Sequence, residues 1–177
     1  MVDQNQTNVD AIIGNKNYDI VHVFCTTDSG LAQKPAVWDN DGKARGVTGQ
    51  LNPTGDPFWI DYLSHEIRHQ FGANHTQNNN CNRNVVDSME PGSGSTIMGY
   101  AGICTPDVQN NSDPYFHANS IAEMTTHIDT TSCANVISIS NNAPVMSSLQ
   151  SYTVPKSTFL VLDASTTDID NDTLTYY

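Results

Sequence analysis

Residues 65–75, HEIRHQFGANH, constrain this chain more than any other stretch. On a helix, His65 and His69 stand at i and i+4, so both imidazoles project from one face. The flanking text supports a helix. Asp56-Pro57 offers an N-cap acceptor followed by proline at the first helical position, and the spacing predicts a helix over about 57–71. Ile60, Leu63, Ile67 and Phe71 fall at i, i+3, i+7 and i+11, a stripe expected to face the core. At ~100° per residue the histidines lie roughly opposite that stripe. Gly72 ends the helix, because glycine adopts the positive φ that lets a chain leave abruptly. Three residues later His75 can swing back toward the other two. Imidazoles at this spacing grip one zinc ion at ~2.0–2.1 Å, and three protein ligands leave the open fourth position of a catalytic site. Glu66 projects where it can reach a water on that ion. One histidine in a helix is usually just a satisfied polar side chain. Here His65, Glu66, His69, Gly72 and His75 occur in register, and three of the chain's six histidines sit in this one segment.

That register resembles the HExxHxxGxxH signature of the metzincin zinc endopeptidases. The segment STIMGYAG, 95–102, resembles the Met-turn of that clan, with Met98 as its methionine. ARGVTG before the helix, Cys81 after it, and then EPGSGSTIMGYAGIC are most similar to the bacterial reprolysin-like (adamalysin-related) metallopeptidases. The resemblance covers about residues 9–133 and implies an α+β fold: a twisted mixed β-sheet, an active-site helix and a C-terminal helix. It implies that His65, His69 and His75 bind one catalytic Zn2+ and that Glu66 is the general base of metal-assisted peptide hydrolysis. Met98 would form the floor of the site without coordinating. The strand at 44–49 would lie along the cleft, where an extended peptide substrate pairs as an added strand. Residues 99–118 would shape the pocket for the side chain after the scissile bond.

Some positions depart from the relatives. Arg68 stands where most have glycine, and Thr76 where the adamalysins have aspartate. Tyr100 is similar to a tyrosine of the astacin and serralysin branches that reaches the zinc, which makes it a candidate transition-state donor or extra ligand. Metzincin domains place several strands and two helices before the zinc helix. This sequence offers one helix end (9–13, closed by Gly14) and two strands (18–24 and 44–49) around a polar loop at 25–43, so the N-terminal part of the domain is expected to lie outside it.

The length, 177 residues, suits one domain of ordinary size, or one domain plus a piece of another. Residues 1–134 read as the peptidase domain, 135–144 as a linker and 145–177 as the beginning of a β-sandwich, with strand-like runs at 158–164 and 173–177. A late helix is expected near 120–129, opened by a Ser120-x-x-Glu123 capping box. His22 reads as a core histidine, and His117 and His127 as structural or surface residues. DIDNDTLTYY resembles the opening of cadherin-like or other immunoglobulin-like repeats. Its Asp168, Asp170 and Asp172 alternate as in a Ca2+ loop, but the glycine and distal glutamate of an EF-hand are absent. A polar hairpin turn with no ion is an equal reading.

Seven Lys+Arg against 19 Asp+Glu give a net charge of −12. That excludes nucleic-acid binding through phosphate contacts and docking on anionic membrane through a basic patch. No apolar run approaches the ~20 residues of a membrane span. MVDQNQTNVD carries no secretory signal, which leaves either a cytosolic protein or a piece of a longer one; DNDTLTYY stops in mid-strand text and favours the second, so the chain is expected to be a fragment. Cys25, Cys81, Cys104 and Cys133 include no CxxC pair. An even, widely spaced set is compatible with disulfides in an exported protein, and three pairings remain open beside four buried thiols. The resemblance points to a secreted or cell-surface bacterial protein. Two functions compete: a secreted zinc endopeptidase, and a catalytically weak or inactive metzincin-like binding or adhesion module attached to immunoglobulin-like repeats. The intact Glu66 favours the first. A purely structural zinc would want a fourth protein ligand, for which the sequence offers only Tyr100.

Overall fold

The chain's first helix, α1 (Val2–Ile12), has little apolar surface to bury, and polar contacts dock it. In the computed structural model, which describes residues 1–176, the buried Gln6 Nε2 donates to Tyr18 Oη at 2.7 Å, while its Oε1 accepts the Ala44 amide at 2.8 Å. Internal contacts divide the chain into two units, Met1–Ala134 and Asn135–Tyr177.

Three strands form the sheet of the first unit: β1 (Val23–Cys25), β2 (Ser29–Ala32) and β3 (Gly46–Gly49), in the order β1-β3-β2. The sheet is mixed, as an α+β fold of the expected kind requires. β1 runs parallel to β3, with Val23 beside Val47, and β2 runs antiparallel to it, with Gly30 beside Thr48. Two expectations are corrected here. The strand expected at 18–24 starts only at Val23, and the segment expected as a polar loop contains β2. SGLA is small and largely exposed, so backbone pairing with β3, not side-chain pattern, makes it a strand. β3 is buried throughout and has a neighbour on each side. It therefore cannot take a substrate strand, contrary to the reading of 44–49 as the cleft border. β2 is the edge.

The expected helix over 57–71 forms in two parts. Pro57–Ser64 winds as a π-helix and runs directly into α2 (His65–Gln70). The wider i→i+5 winding shifts the phase of everything before His65, so a stripe counted at constant pitch does not survive. Ile60, Leu63, Ile67 and Phe71 are only half-buried, while Phe58, His65 and His69 are buried. Ile60 and Phe71 still pack against the apolar cluster of Ala73, Ile97, Met98 and Met124. Met124 comes from α3 (Ala118–Asp129). The capping box expected there does not form. His117 caps α3, its Nδ1 accepting from the Asn119 amide at 3.1 Å. Ser120 is fully buried, and Glu123 instead accepts the Asn74 amide at 2.9 Å.

Of the three cysteine pairings, the fold contains Cys81–Cys104, with a Cα–Cα distance of 6.1 Å; Cys25 and Cys133 are free thiols. In the second unit β4 (Val145–Met146) pairs antiparallel with β5 (Thr166–Thr167). The runs expected as strands at 158–164 and 173–177 are irregular where described, and Tyr177 lies outside the described residues.

Candidate metal centre

Two of the three histidines in the segment come from α2, which brings His65 and His69 onto one face as the i, i+4 spacing requires. Gly72 then turns at φ 100°, and the chain returns so that His75 meets them. Each imidazole is oriented by a backbone carbonyl. His65 Nδ1 lies 2.7 Å from Ile97 O, His69 Nδ1 2.7 Å from Ala73 O, and His75 Nδ1 2.8 Å from Asn82 O. A carbonyl oxygen only accepts, so each Nδ1 carries the proton and each Nε2 presents a lone pair. His69 Nε2 stands 3.1 Å from His65 Nε2 and 3.0 Å from His75 Nε2. Three lone pairs have nothing to donate to one another, so this convergence is favourable only around a cation. Three nitrogens bound tetrahedrally at ~2.0–2.1 Å would stand ~3.3 Å apart, within a few tenths of what is found. The residues fit a zinc ion.

Electrostatics agree with the geometry. Burial, reinforced by the neighbouring His65 and His75, pushes the pKa of His69 down to about 2. Burial and then His75 push His65 down to about 4, against the pull of the Ile97 carbonyl. Burial lowers His75 as well. The three are neutral at physiological pH, the form in which imidazole binds metal.

Glu66 lies beside this centre. Its Oε2 is buried with no hydrogen-bond partner, and burial raises its pKa to about 7. It faces β2 so closely that a Cβ placed on Gly30 would collide with its carboxylate. Glycine at position 30 is therefore what leaves the carboxylate its room. Glu66 borders two adjoining hollows: one of about 240 Å³ is also lined by Leu31, Ala32, Lys34, His69 and His75, and one of about 230 Å³ by Asp61, Tyr62, His65 and Ile103. Gly30, Asn82 and Tyr100 border both.

The other singled-out residues sort clearly. Tyr100 lies at the centre, its ring centroid 4.6 Å from that of His75 and its hydroxyl accepting from Asn82 Nδ2 at 3.2 Å. Burial raises its pKa, the Asn82 amide works against this, and Glu66 adds to the rise. Met98 is fully buried, and its carbonyl accepts the Thr76 amide at 3.1 Å. Arg68 lines neither hollow. Its guanidinium lies over the rings of Phe116 and Phe71, at 4.8 and 5.7 Å, a cation–π arrangement that turns it away from the site. His22 bridges Gln70 Oε1 and Thr48 Oγ1, both at 2.7 Å. His127 stacks on Trp38. The oxygens of Asp168, Asp170 and Asp172 lie within 4.8 Å of one another in the second unit. Asp168 Oδ1 accepts the amides of Asp170 and Asp172 at 2.8 and 3.3 Å, which is ordinary turn bonding.

Two contributors were not visible in the sequence. Asn82 orients His75 through its carbonyl and holds Tyr100 through its side chain. Glu90 is buried, and its carboxylate accepts four hydrogen bonds: the Thr76 and Thr96 hydroxyls at 2.5 Å each, and the Ser95 and Thr96 amides at 2.7 and 3.0 Å. Burial would raise its pKa, but these bonds outweigh burial and hold it low. The departure at Thr76 is thereby explained, since its hydroxyl serves Glu90. Nothing in a polar, glycine-rich segment singles out either residue.

Residues 2–135 match the family described as Metallo-peptidase family M12B Reprolysin-like. No curated protein and no solved structure matches the chain.

Proposed function

The chain belongs to the reprolysin-like metallopeptidases of family M12B, and from that premise we propose that it is a secreted zinc endopeptidase hydrolysing peptide bonds of protein substrates. One observation carries the reading. Three imidazoles, each with its Nδ1 engaged by a carbonyl, converge through Nε2 beside a buried carboxylate that has an unpartnered oxygen. His65, His69 and His75 would hold the zinc, which when bound lowers the pKa of a water and polarises the scissile carbonyl. Glu66 takes the proton from the attacking water and delivers it to the leaving amine. In the metal-free chain burial raises its pKa, which strengthens it as a proton acceptor. Tyr100, anchored by Asn82, donates a hydrogen bond to the oxyanion. Met98 packs beneath the histidines.

The substrate lies extended along β2, whose residues Ser29–Leu31 are exposed at the sheet edge and of which Gly30 and Leu31 line the hollow beside Glu66. The Cys81–Cys104 disulfide supports export to an oxidising compartment. No described helix is long and apolar enough to cross a membrane. Residues 145–177 are read as part of an immunoglobulin-like module after a linker at 135–144.

The test is cleavage of an unfolded protein by the full chain, with products identified by mass spectrometry, beside a chelator and the Glu66→Ala variant. Cleavage abolished by both supports the reading. A zinc-loaded chain that cleaves nothing, or a Glu66→Ala variant with normal turnover, overturns it and favours a binding module.

A further inference from the structure

The hollow formed by Asp61, Tyr62 and Ile103 contains a charge that hydrolysis does not require. Asp61 stands on the π-wound stretch before α2, one turn ahead of His65. Its Oδ1 accepts the Ser112 amide at 2.7 Å, which pins the carboxylate between the helix and the loop after Cys104. It is half-buried, and burial raises its pKa against the pull of the Ser112 amide and hydroxyl. Among the described residues no lysine or arginine pairs with it; the single ion pair is Arg45–Asp3. The other titratable groups of this hollow are His65, Glu66 and Tyr100, none of them a cation, while Lys34 lines only the adjoining hollow and bonds Asn74. Tyr62 and Ile103 supply walls for an alkyl stem. A half-buried carboxylate with no counter-ion, on the wall of a partly apolar hollow of about 230 Å³, is complementary to a side chain with an apolar stem and a cationic head. The chain's net charge of −12 adds a long-range attraction for basic polypeptides.

We infer that this hollow receives a lysine or arginine side chain flanking the scissile bond, and that Asp61 determines this specificity by pairing with it. The inference rests on the peptidase reading above. It also names the class of substrate: basic segments of proteins.

The experiment uses two peptides identical except for arginine or citrulline at that position, so that shape is kept and charge is removed. The full chain should show a kcat/KM roughly 10–100-fold higher for the arginine peptide, the range expected of a charge-assisted hydrogen bond in a sheltered site. Asp61→Asn keeps the oxygen that accepts the Ser112 amide and should bring the ratio to about one. Asp61→Glu, which keeps the charge, should retain much of the preference, and Asp61→Lys should invert it toward acidic side chains. A second readout does not depend on turnover: calorimetric binding of the two peptides to the Glu66→Ala chain, alone and combined with Asp61→Asn. Tighter binding of the arginine peptide that disappears with Asp61→Asn supports the inference. An arginine-to-citrulline ratio that Asp61→Asn leaves unchanged, or equal binding of both peptides to Glu66→Ala, overturns it. Failure of every variant to cleave would overturn the peptidase reading, and the binding measurement would still decide the role of Asp61.

Discussion

Replacing Glu90 with alanine should damage the protein far more than its surface loop suggests. Its carboxylate is the common acceptor for two hydroxyls and two amides, and Thr76 and Thr96 are themselves buried. Alanine leaves these donors without a partner, at ~1–3 kcal/mol for each that water cannot reach. Some will find water, so the net loss should be about 3–5 kcal/mol, the size expected when a buried polar network loses its centre. Glutamine can turn its carbonyl to the two amides and its NH2 to the hydroxyls, which can also accept, so Glu90→Gln should cost only about 1–2 kcal/mol. Urea denaturation in the presence of a chelator, followed by the fluorescence of Trp38 and Trp59, measures this in the first unit. There is also a pH signature. The folded carboxylate is held below its ordinary 4.5, so its contribution is complete above about 4.5 and declines as pH falls through the folded value. Glu90→Gln should lack that decline. Because Thr76 follows His75 and donates its amide to Met98, Glu90→Ala should also weaken zinc binding ~10-fold or more in a chelator competition. An alanine variant within ~0.5 kcal/mol of the parent would refute this account of Glu90.

Gly30→Ala should leave unfolding nearly unchanged, because the flexible Glu66 side chain can yield, but lower kcat ~10-fold or more by displacing the carboxylate; parental kcat would refute the contact. His69→Ala should abolish zinc retention and Glu66→Ala should keep it, as measured by metal analysis after dialysis. In the metal-free chain, His65 and His69 protonate less readily than when unfolded. Stability should therefore fall as pH drops below about 6.5, toward the folded value of about 4 for His65. Glu66, raised to about 7, works in the opposite direction between about 4.5 and 7, so a Glu66→Gln background isolates the histidines. Reducing Cys81–Cys104, a separation of 23 residues, should cost ~3 kcal/mol and loosen Asn82, which would appear as weaker zinc binding.

The sequence alone singled out the three histidines that converge as a possible metal site and the glutamate beside them. His65, Glu66 and His69 are related by helix periodicity, and Gly72 brings His75 back through one local turn. Everything needed to place them lies within a few residues. The mixed α+β character came from the resemblance, and the late helix was legible from the spacing of Ile121, Met124 and Ile128 although its expected capping box does not form; the π-winding before His65 broke a stripe counted at constant pitch. What surrounds the ligands was decided only by tertiary structure. The carbonyls of Ile97 and Asn82 that set the ring tautomers, the choice of Cys81 as partner for Cys104, and the four donors around Glu90 are contacts across loops, and backbone groups carry no sequence signature. β2 is the clearest case. SGLA becomes the cleft edge because β3 pairs with it and buries itself in the middle of the sheet, while the more strand-like ARGVTG loses its free edge in doing so. Local spacing fixes which side chains can share a metal, whereas pairing between distant segments decides which backbone edge remains for a substrate.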